Sequence, residues 1–132
     1  MSGANARRGN GTRRTRLLRR LRAEQRPCWI CGLPIDYSAP AGAPLSFECD
    51  ELVPVSKGGS PYDIANVDAA HRCCNNWRGA KPVPRVRAVA SACIERFGAH
   101  AGALEFVERA KAVERGPACS PARESVRTTT EW

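Results

Sequence analysis

Two pairs of metal-type side chains at equal spacing constrain this chain more than any other feature of it. Cys28 and Cys31 are separated by two residues, as are His71 and Cys74, and 39 residues lie between the pairs. Zinc takes four thiolate or imidazole ligands in a tetrahedron, and structural sites leave no open position. Gly32, directly after the first pair, permits the left-handed backbone of a knuckle. A loop of this length closes at modest entropic cost. The pattern predicts one structural zinc site built from Cys28, Cys31, His71 and Cys74, with Cys73 able to replace His71 only in a strained alternative. A lone Cys-x-x-Cys would suit a redox pair equally well. The second pair, in a chain with only two histidines, tips the reading to zinc. His100, beside alanines, reads as a surface residue.

Seven cysteines are an odd number for a disulfide framework, and Cys49, Cys93 and Cys119 are scattered. The N-terminal arginines have no apolar stretch behind them, so they do not read as a secretory signal. Clustered cysteines then read as ligands in a reducing compartment, the cytoplasm. No apolar run approaches the roughly 20 residues that span a bilayer, so no membrane partner is expected. A chain of 132 residues with eight aromatics can bury a modest core, which a metal staple would help.

The first 26 residues hold nine arginines, among them Arg13, Arg14, Arg16, Arg19 and Arg20, against the single acid Glu24. That segment carries +8, while the twelve basic and twelve acidic residues that follow cancel. A basic arm beside a neutral body suits a polyanion, because each phosphate it neutralises releases counterions. A solvated tail is the competing reading, and charge alone leaves the two even. Little serine and a weak apolar face rank an organellar presequence below both.

Residues 1 to about 15 show no periodicity and are expected to be disordered. Leu17, Leu18 and Leu21 among arginines predict a short basic helix over Thr15–Gln25, stopped by Pro27. The Pro/Gly/Ala-rich stretch from Pro34 to Pro44 reads as loop. Leu45–Val55 is the best strand, Asn66–Ala70 a short second strand, and His71–Gly79 a short helix. Val86–Phe97 and Ala103–Val113 have helical spacing around Gly98 and Gly102. The expected division is a basic arm (1–26), a zinc-bearing domain (27–84), a helical segment (85–116) and a flexible tail (117–132).

The run Phe47-Glu48-Cys49-Asp50-Glu51-Leu52-Val53-Pro54-Val55-Ser56-Lys57-Gly58-Gly59, then Asn66, then His71-x-x-Cys74-Asn75, resembles the HNH endonucleases. It looks especially like the small versions carried by phages and prophages of actinobacteria. Cys28-Trp29-Ile30-Cys31-Gly32 followed by Pro34-Ile35-Asp36-Tyr37 is similar to the same group, and the resemblance extends from about Arg14 to Lys81. It implies an α+β fold: a small zinc-stapled ββα-metal (HNH) domain, in which a hairpin and a helix grip one catalytic divalent ion, with flanking helices. Phosphodiester hydrolysis needs a base for water and a cation to offset charge on the phosphate and leaving oxygen. By resemblance Asp50 and Asn75 would be ligands of a catalytic Mg²⁺ or Mn²⁺, ions that take oxygen donors. Asn66 matches the middle asparagine, which orders the loop and the base. Lys57, Arg72, Arg78 and Lys81 are placed to hold phosphates, with ordinary solvated surface as the alternative.

One position departs from the family pattern: the general-base histidine falls on Glu51. A carboxylate can accept a proton, though it is a weaker base than imidazole. Glu51 is therefore a substitute base, a second metal ligand or the mark of a disabled site, and Asp50, Asn66 and Asn75 at the matching positions favour substitution. Trp29 and Trp77 are expected to cap the core rather than stack on bases. The leading expectation is a DNA endonuclease, with phage genome packaging and a terminase partner suggested by the resemblance. The rivals are a zinc-stapled nucleic-acid-binding module that does not cut and a structural zinc protein that docks to another protein.

Overall fold

A computed structural model describes residues 3–116. Helix α1 (Gly3–Glu24) leads into a turn and a long irregular segment. Strand β1 (Phe47–Glu51) and strand β2 (Val67–His71) form an antiparallel pair, with Phe47 opposite His71 and Glu51 opposite Val67. Helix α2 (Arg72–Arg78) follows β2 without a break, and helices α3 (Val83–Phe97) and α4 (Ala103–Arg115) complete the described chain. This is a small α+β architecture with four helices and one two-stranded sheet among the described residues. No helix among them is long and apolar enough to cross a membrane.

The segment expected to be disordered is helical from Gly3 onward. Glycine and asparagine argue against helix there, but the segment holds no proline, and its alanines and arginines are good helix formers. Once Leu17 and Leu21 are packed, adding turns N-terminal to them avoids the cost of a new nucleus. Gln25 ends the helix in a left-handed conformation (φ 50°), just ahead of Pro27. The tail expected over 117–132 lies outside the described residues.

Strand β1 is shorter than the expected Leu45–Val55, because the chain leaves it at Leu52 to enter a compact loop, whereas β2 keeps the expected length and is shifted by one residue. Side chains alternate across β1. Glu48 and Asp50 bond to α2, whereas Phe47 and Cys49 pack toward Leu17 and Leu21 of α1. The main core gathers Cys28 and Ile30 of the N-terminal turn, Ala69 and Ala70 of β2, Trp77 of α2, Val86, Val89 and Cys93 of α3, and Phe106, Val107 and Ala110 of α4. The segments expected as a zinc domain (27–84) and a helical segment (85–116) therefore share one core. Glu114 ties the end of α4 to α2 by accepting from Trp77 Nε1 at 2.8 Å. Pro82 and Pro84 suit the start of α3, where no intrahelical N–H partner is needed.

The loop between the strands closes on Gly59, whose N–H donates to the Pro54 carbonyl at 3.0 Å. A Cβ on Gly59 would collide with the Val53 carbonyl and lie 2.8 Å from Asn66 Nδ2. Gly59→Ala is therefore expected to cost about 1–3 kcal/mol, as overpacking of a closed site does. A urea midpoint equal to that of the parent would show that the loop has room the geometry does not.

Candidate metal centre and candidate active site

The Cys28–Cys31 pair sits on a tight turn: Gly32 N–H donates to Cys28 O at 2.8 Å, Cys28 N–H to Leu33 O at 2.9 Å, and Gly32 takes φ 80°. The adjoining Trp29 N–H donates to Ala69 O at 2.9 Å, fixing this turn to β2. His71 ends β2 as the N-cap residue of α2, and Cys74 lies in the first turn of that helix. The strand-to-helix junction thus delivers the second pair to the first.

Ligand atoms of Cys28, Cys31, His71 and Cys74 all lie within 4.8 Å of one another, so the four side chains are positioned to hold a metal ion. His71 Nδ1 is 3.4 Å from Cys31 Sγ and 4.0 Å from Cys74 Sγ. A tetrahedron with Zn–S near 2.3 Å and Zn–N near 2.0 Å would set such S···N separations at roughly 3.5 Å. His71 Nε2 donates to Pro34 O at 3.1 Å, which leaves Nδ1 as the ligand and fixes the ring. The backbone N–H groups of Cys31 and His71 each lie 3.5 Å from Cys28 Sγ and favour its thiolate.

When protons rather than a metal occupy the cluster, hydrogen bonds from Cys31 and Cys74 hold the Cys28 thiol far below its ordinary range. Burial disfavours a charged His71, but hydrogen bonds to Cys28 and Cys31 outweigh it and raise the imidazole to about 10. Bonding to the Cys28 and Cys31 sulfurs pushes the Cys74 thiol up. A binding cation displaces the retained protons and takes the sulfurs as thiolates and His71 as a neutral imidazole. Cys73 is half-buried against the core and outside the cluster, and none of the six described cysteines is in a disulfide.

The remaining site residues lie along the hairpin. Asp50 is buried, and its Oδ2 accepts from Trp29 Nε1 at 2.9 Å and Arg78 Nη1 at 2.8 Å. Asn75 lies on the same side of β1, but its Nδ2 donates to Glu48 Oε1 at 2.9 Å, and among the described residues no bond joins it to Asp50. Glu51 points the other way, with its Oε2 3.5 Å from Arg14 Nη1 of α1. Asn66 closes the loop. Its Oδ1 accepts from Val53 N–H at 3.0 Å, and its Nδ2 donates to Val53 O and Ser60 O at 2.9 Å each.

The basic residues divide. Arg13, Arg16, Arg19, Arg20 and Lys57 are exposed, and Arg13 also stacks on Tyr62 at 4.3 Å. Arg72 pairs with Glu48 at 2.7 Å, and Lys81 donates to Trp77 O at 2.7 Å. Arg78 is buried, and its guanidinium donates to Asp50, to the carbonyls of Glu51 (2.9 Å) and Leu52 (2.7 Å), and through Nε to Lys81 O (2.9 Å). In this geometry it clamps the end of β1 to α2 and is not presented to a phosphate. Trp77 lies in the core, and Trp29 is half-buried against it.

Three of these partnerships escaped the sequence reading: Glu48 with Asn75 and Arg72, Trp29 and Arg78 with Asp50, and Arg14 with Glu51. Weak signals existed for the first two. Glu48 stands two residues before Asp50, and so on the same strand face, and Arg78 stands one turn after the zinc-type ligand Cys74, on the buried face of α2. No protein-family model, curated protein or solved structure matches the chain, so its function is read from these residues and their geometry.

Proposed function

We propose that the chain is a zinc-stapled, metal-dependent endonuclease of the HNH type that hydrolyses phosphodiester bonds in DNA. The observation that carries this reading is the placement of Glu51. Its carboxylate is 28% exposed at the end of β1, where the hairpin opens, and stands beside a helix that contains eight arginines. Water would give its proton to this carboxylate as its oxygen attacks phosphorus. The bond to the leaving sugar oxygen breaks, and that oxygen takes a proton from solvent. Asn66 holds the loop that follows Glu51, and the exposed arginines with Lys57 hold the backbone of the substrate.

Among the described residues, Asp50 Oδ1 and the Asn75 amide oxygen are the donors left on the α2 side of β1. They match the sparse protein ligation of Mg²⁺ or Mn²⁺, which keep waters and bind substrate phosphate. Since Glu51 faces α1 and Asp50 faces α2, the phosphodiester would have to cross the open end of the hairpin, where such an ion, when bound, would offset charge on the scissile phosphate and the leaving oxygen. The zinc is the structural ion. A packaging role with a terminase partner rests on the resemblance alone.

A second reading has its own observation. The Arg78 guanidinium already neutralises Asp50 from 2.8 Å and opposes a divalent cation there, which favours a nucleic-acid-binding module that does not cut. Nicking of supercoiled plasmid with Mg²⁺, with Mn²⁺ and with neither separates the two. The endonuclease reading expects metal-dependent nicking, a loss of about 10²–10⁴-fold in Glu51→Ala, the size of a general-base contribution, and retained or higher activity in Glu51→His. Zinc content and DNA affinity should hardly change in either variant. Glu51→Ala nicking at the parent rate removes Glu51 from the chemistry. A parent inert with every metal, but active as Glu51→His, is a binding module with a disabled site.

A further inference from the structure

Helix α1 is anchored to the hairpin on the face that carries the Glu51 side chain. Leu17 and Leu21 are buried against Val67, and Val67 is the cross-strand partner of Glu51. Arg14 lies one turn before Leu17, and its Nη1 donates to Pro61 O at 3.1 Å and stands 3.5 Å from Glu51 Oε2. The loop that supplies the Pro61 carbonyl is itself closed by Asn66 through Ser60. Residue 51 is therefore held from both sides of the sheet by arginines: its carboxylate by Arg14 of α1, its backbone carbonyl by Arg78 of α2 at 2.9 Å.

We propose that Arg14 is a positioning residue for Glu51, which fixes the carboxylate at the open end of the hairpin and shares its remaining N–H groups with the phosphodiester that Glu51 serves. This rests on the endonuclease reading above. A guanidinium has five N–H donors in a planar fork. Among the described residues both polar contacts of Arg14 run through Nη1, so Nη2 and Nε are left for a phosphate oxygen. The Arg14 side chain is 33% exposed, open enough for a substrate to reach. The pairing also gives the glutamate a physical reason. A carboxylate on two methylenes has more freedom than a ring on one, and an arginine can hold a carboxylate in place through charge, which it cannot do for a neutral imidazole. An ion pair this exposed adds little to stability, so its worth is geometric.

The test is single-turnover nicking of plasmid by a saturating excess of protein with Mn²⁺, alongside plasmid affinity without metal, for the parent, Arg14→Ala, Arg14→Lys, Glu51→Gln and Arg14→Ala/Glu51→Gln. Arg14→Ala should lower the saturated rate by about 10-fold or more, a loss of the kind misplacement of a reacting group causes, while affinity falls by only a few fold. Arg14→Lys should recover part of the rate. The double variant should be no slower than Glu51→Gln, because the two residues act as a unit. Melting temperature and zinc content should match the parent. A saturated rate unchanged in Arg14→Ala, with the whole effect in affinity, would make Arg14 a phosphate contact only, and losses that multiply in the double variant would separate it from Glu51. Either result in an active parent overturns the role of Arg14 and leaves the endonuclease reading standing. A parent without metal-dependent nicking overturns both.

Discussion

Cys28→Ser or Cys74→Ser should leave the chain without its native tertiary structure, and chelation of the parent should do the same. Cys28 and Cys74 are almost fully buried at the centre of the main core. The site joins the N-terminal turn, the end of β2 and the start of α2, between which the chain from Pro34 to Ser46 makes no helix or strand. Structural zinc sites contribute roughly 10–16 kcal/mol, whereas a whole domain is stable by about 5–15 kcal/mol. Losing the ion therefore removes a free energy as large as the total. The collapse should not be uniform. α3 and α4 pack on each other through Val86, Val89, Cys93, Phe106 and Ala110, so part of the far-ultraviolet helical signal should survive while the near-ultraviolet tryptophan signal is lost.

The pH dependence has a definite sign. The ligands must shed protons to bind metal, and the hydrogen-bonded His71 keeps its proton up to about 10 when no metal competes. Acidification therefore favours the protonated cluster, and chelators should strip the ion faster as pH falls. Elemental analysis should find one zinc per folded chain. A folded, cooperative protein that contains no tightly bound metal would end the assignment.

How much of the fold and of the site is legible in the sequence depends on the range of each interaction. Equal two-residue spacings named Cys28, Cys31, His71 and Cys74, because metal chelation by near neighbours leaves a local signature, and the structure brings those four together. The helices around Gly98 and Gly102 were also legible, since a repeat of 3.6 residues needs no knowledge of the partner. The sequence understates the length of helix α1, because glycine and asparagine count against a helix locally while the gain from docking Leu17 and Leu21 is tertiary. The pairs that set the geometry at the hairpin were hidden. Trp29 reaches Asp50 across 21 residues, Arg78 reaches it across 28 and Arg14 reaches Pro61 across 47. Strand alternation states that Asp50 and Glu51 face apart, but not which helix each face meets. Arg78 shows the consequence: by charge and position it belongs with the residues expected to hold phosphates, and only its burial reveals a structural clamp.

That clamp sets the second large effect. Arg78→Met should destabilise the protein by at least 3–5 kcal/mol, because removing one partner of a buried pair strands the other charge. Asp50 would keep only the Trp29 indole, and the carbonyls of Glu51, Leu52 and Lys81 would each lose a donor. For a chain of this size such a loss lowers the melting temperature by roughly 10–30 °C. Arg78→Lys should recover little, since an ammonium on a single stem cannot reproduce the fork that reaches Asp50 and two successive carbonyls. Adding Asp50→Asn to Arg78→Met should restore part of the stability, because the stranded charge is gone even though the carbonyls stay unpaired. The sign of that coupling separates a buried pair from two independent residues, for which the losses would add. If Arg78→Met instead melts within a few degrees of the parent and binds DNA more weakly, Arg78 is a phosphate ligand and its buried position is not the one it works in. The clamp holds the backbone of Glu51, so its loss should also slow any nicking far more than Arg72→Ala does, since the Arg72 guanidinium is 41% exposed and, among the described residues, reaches only Glu48 on β1.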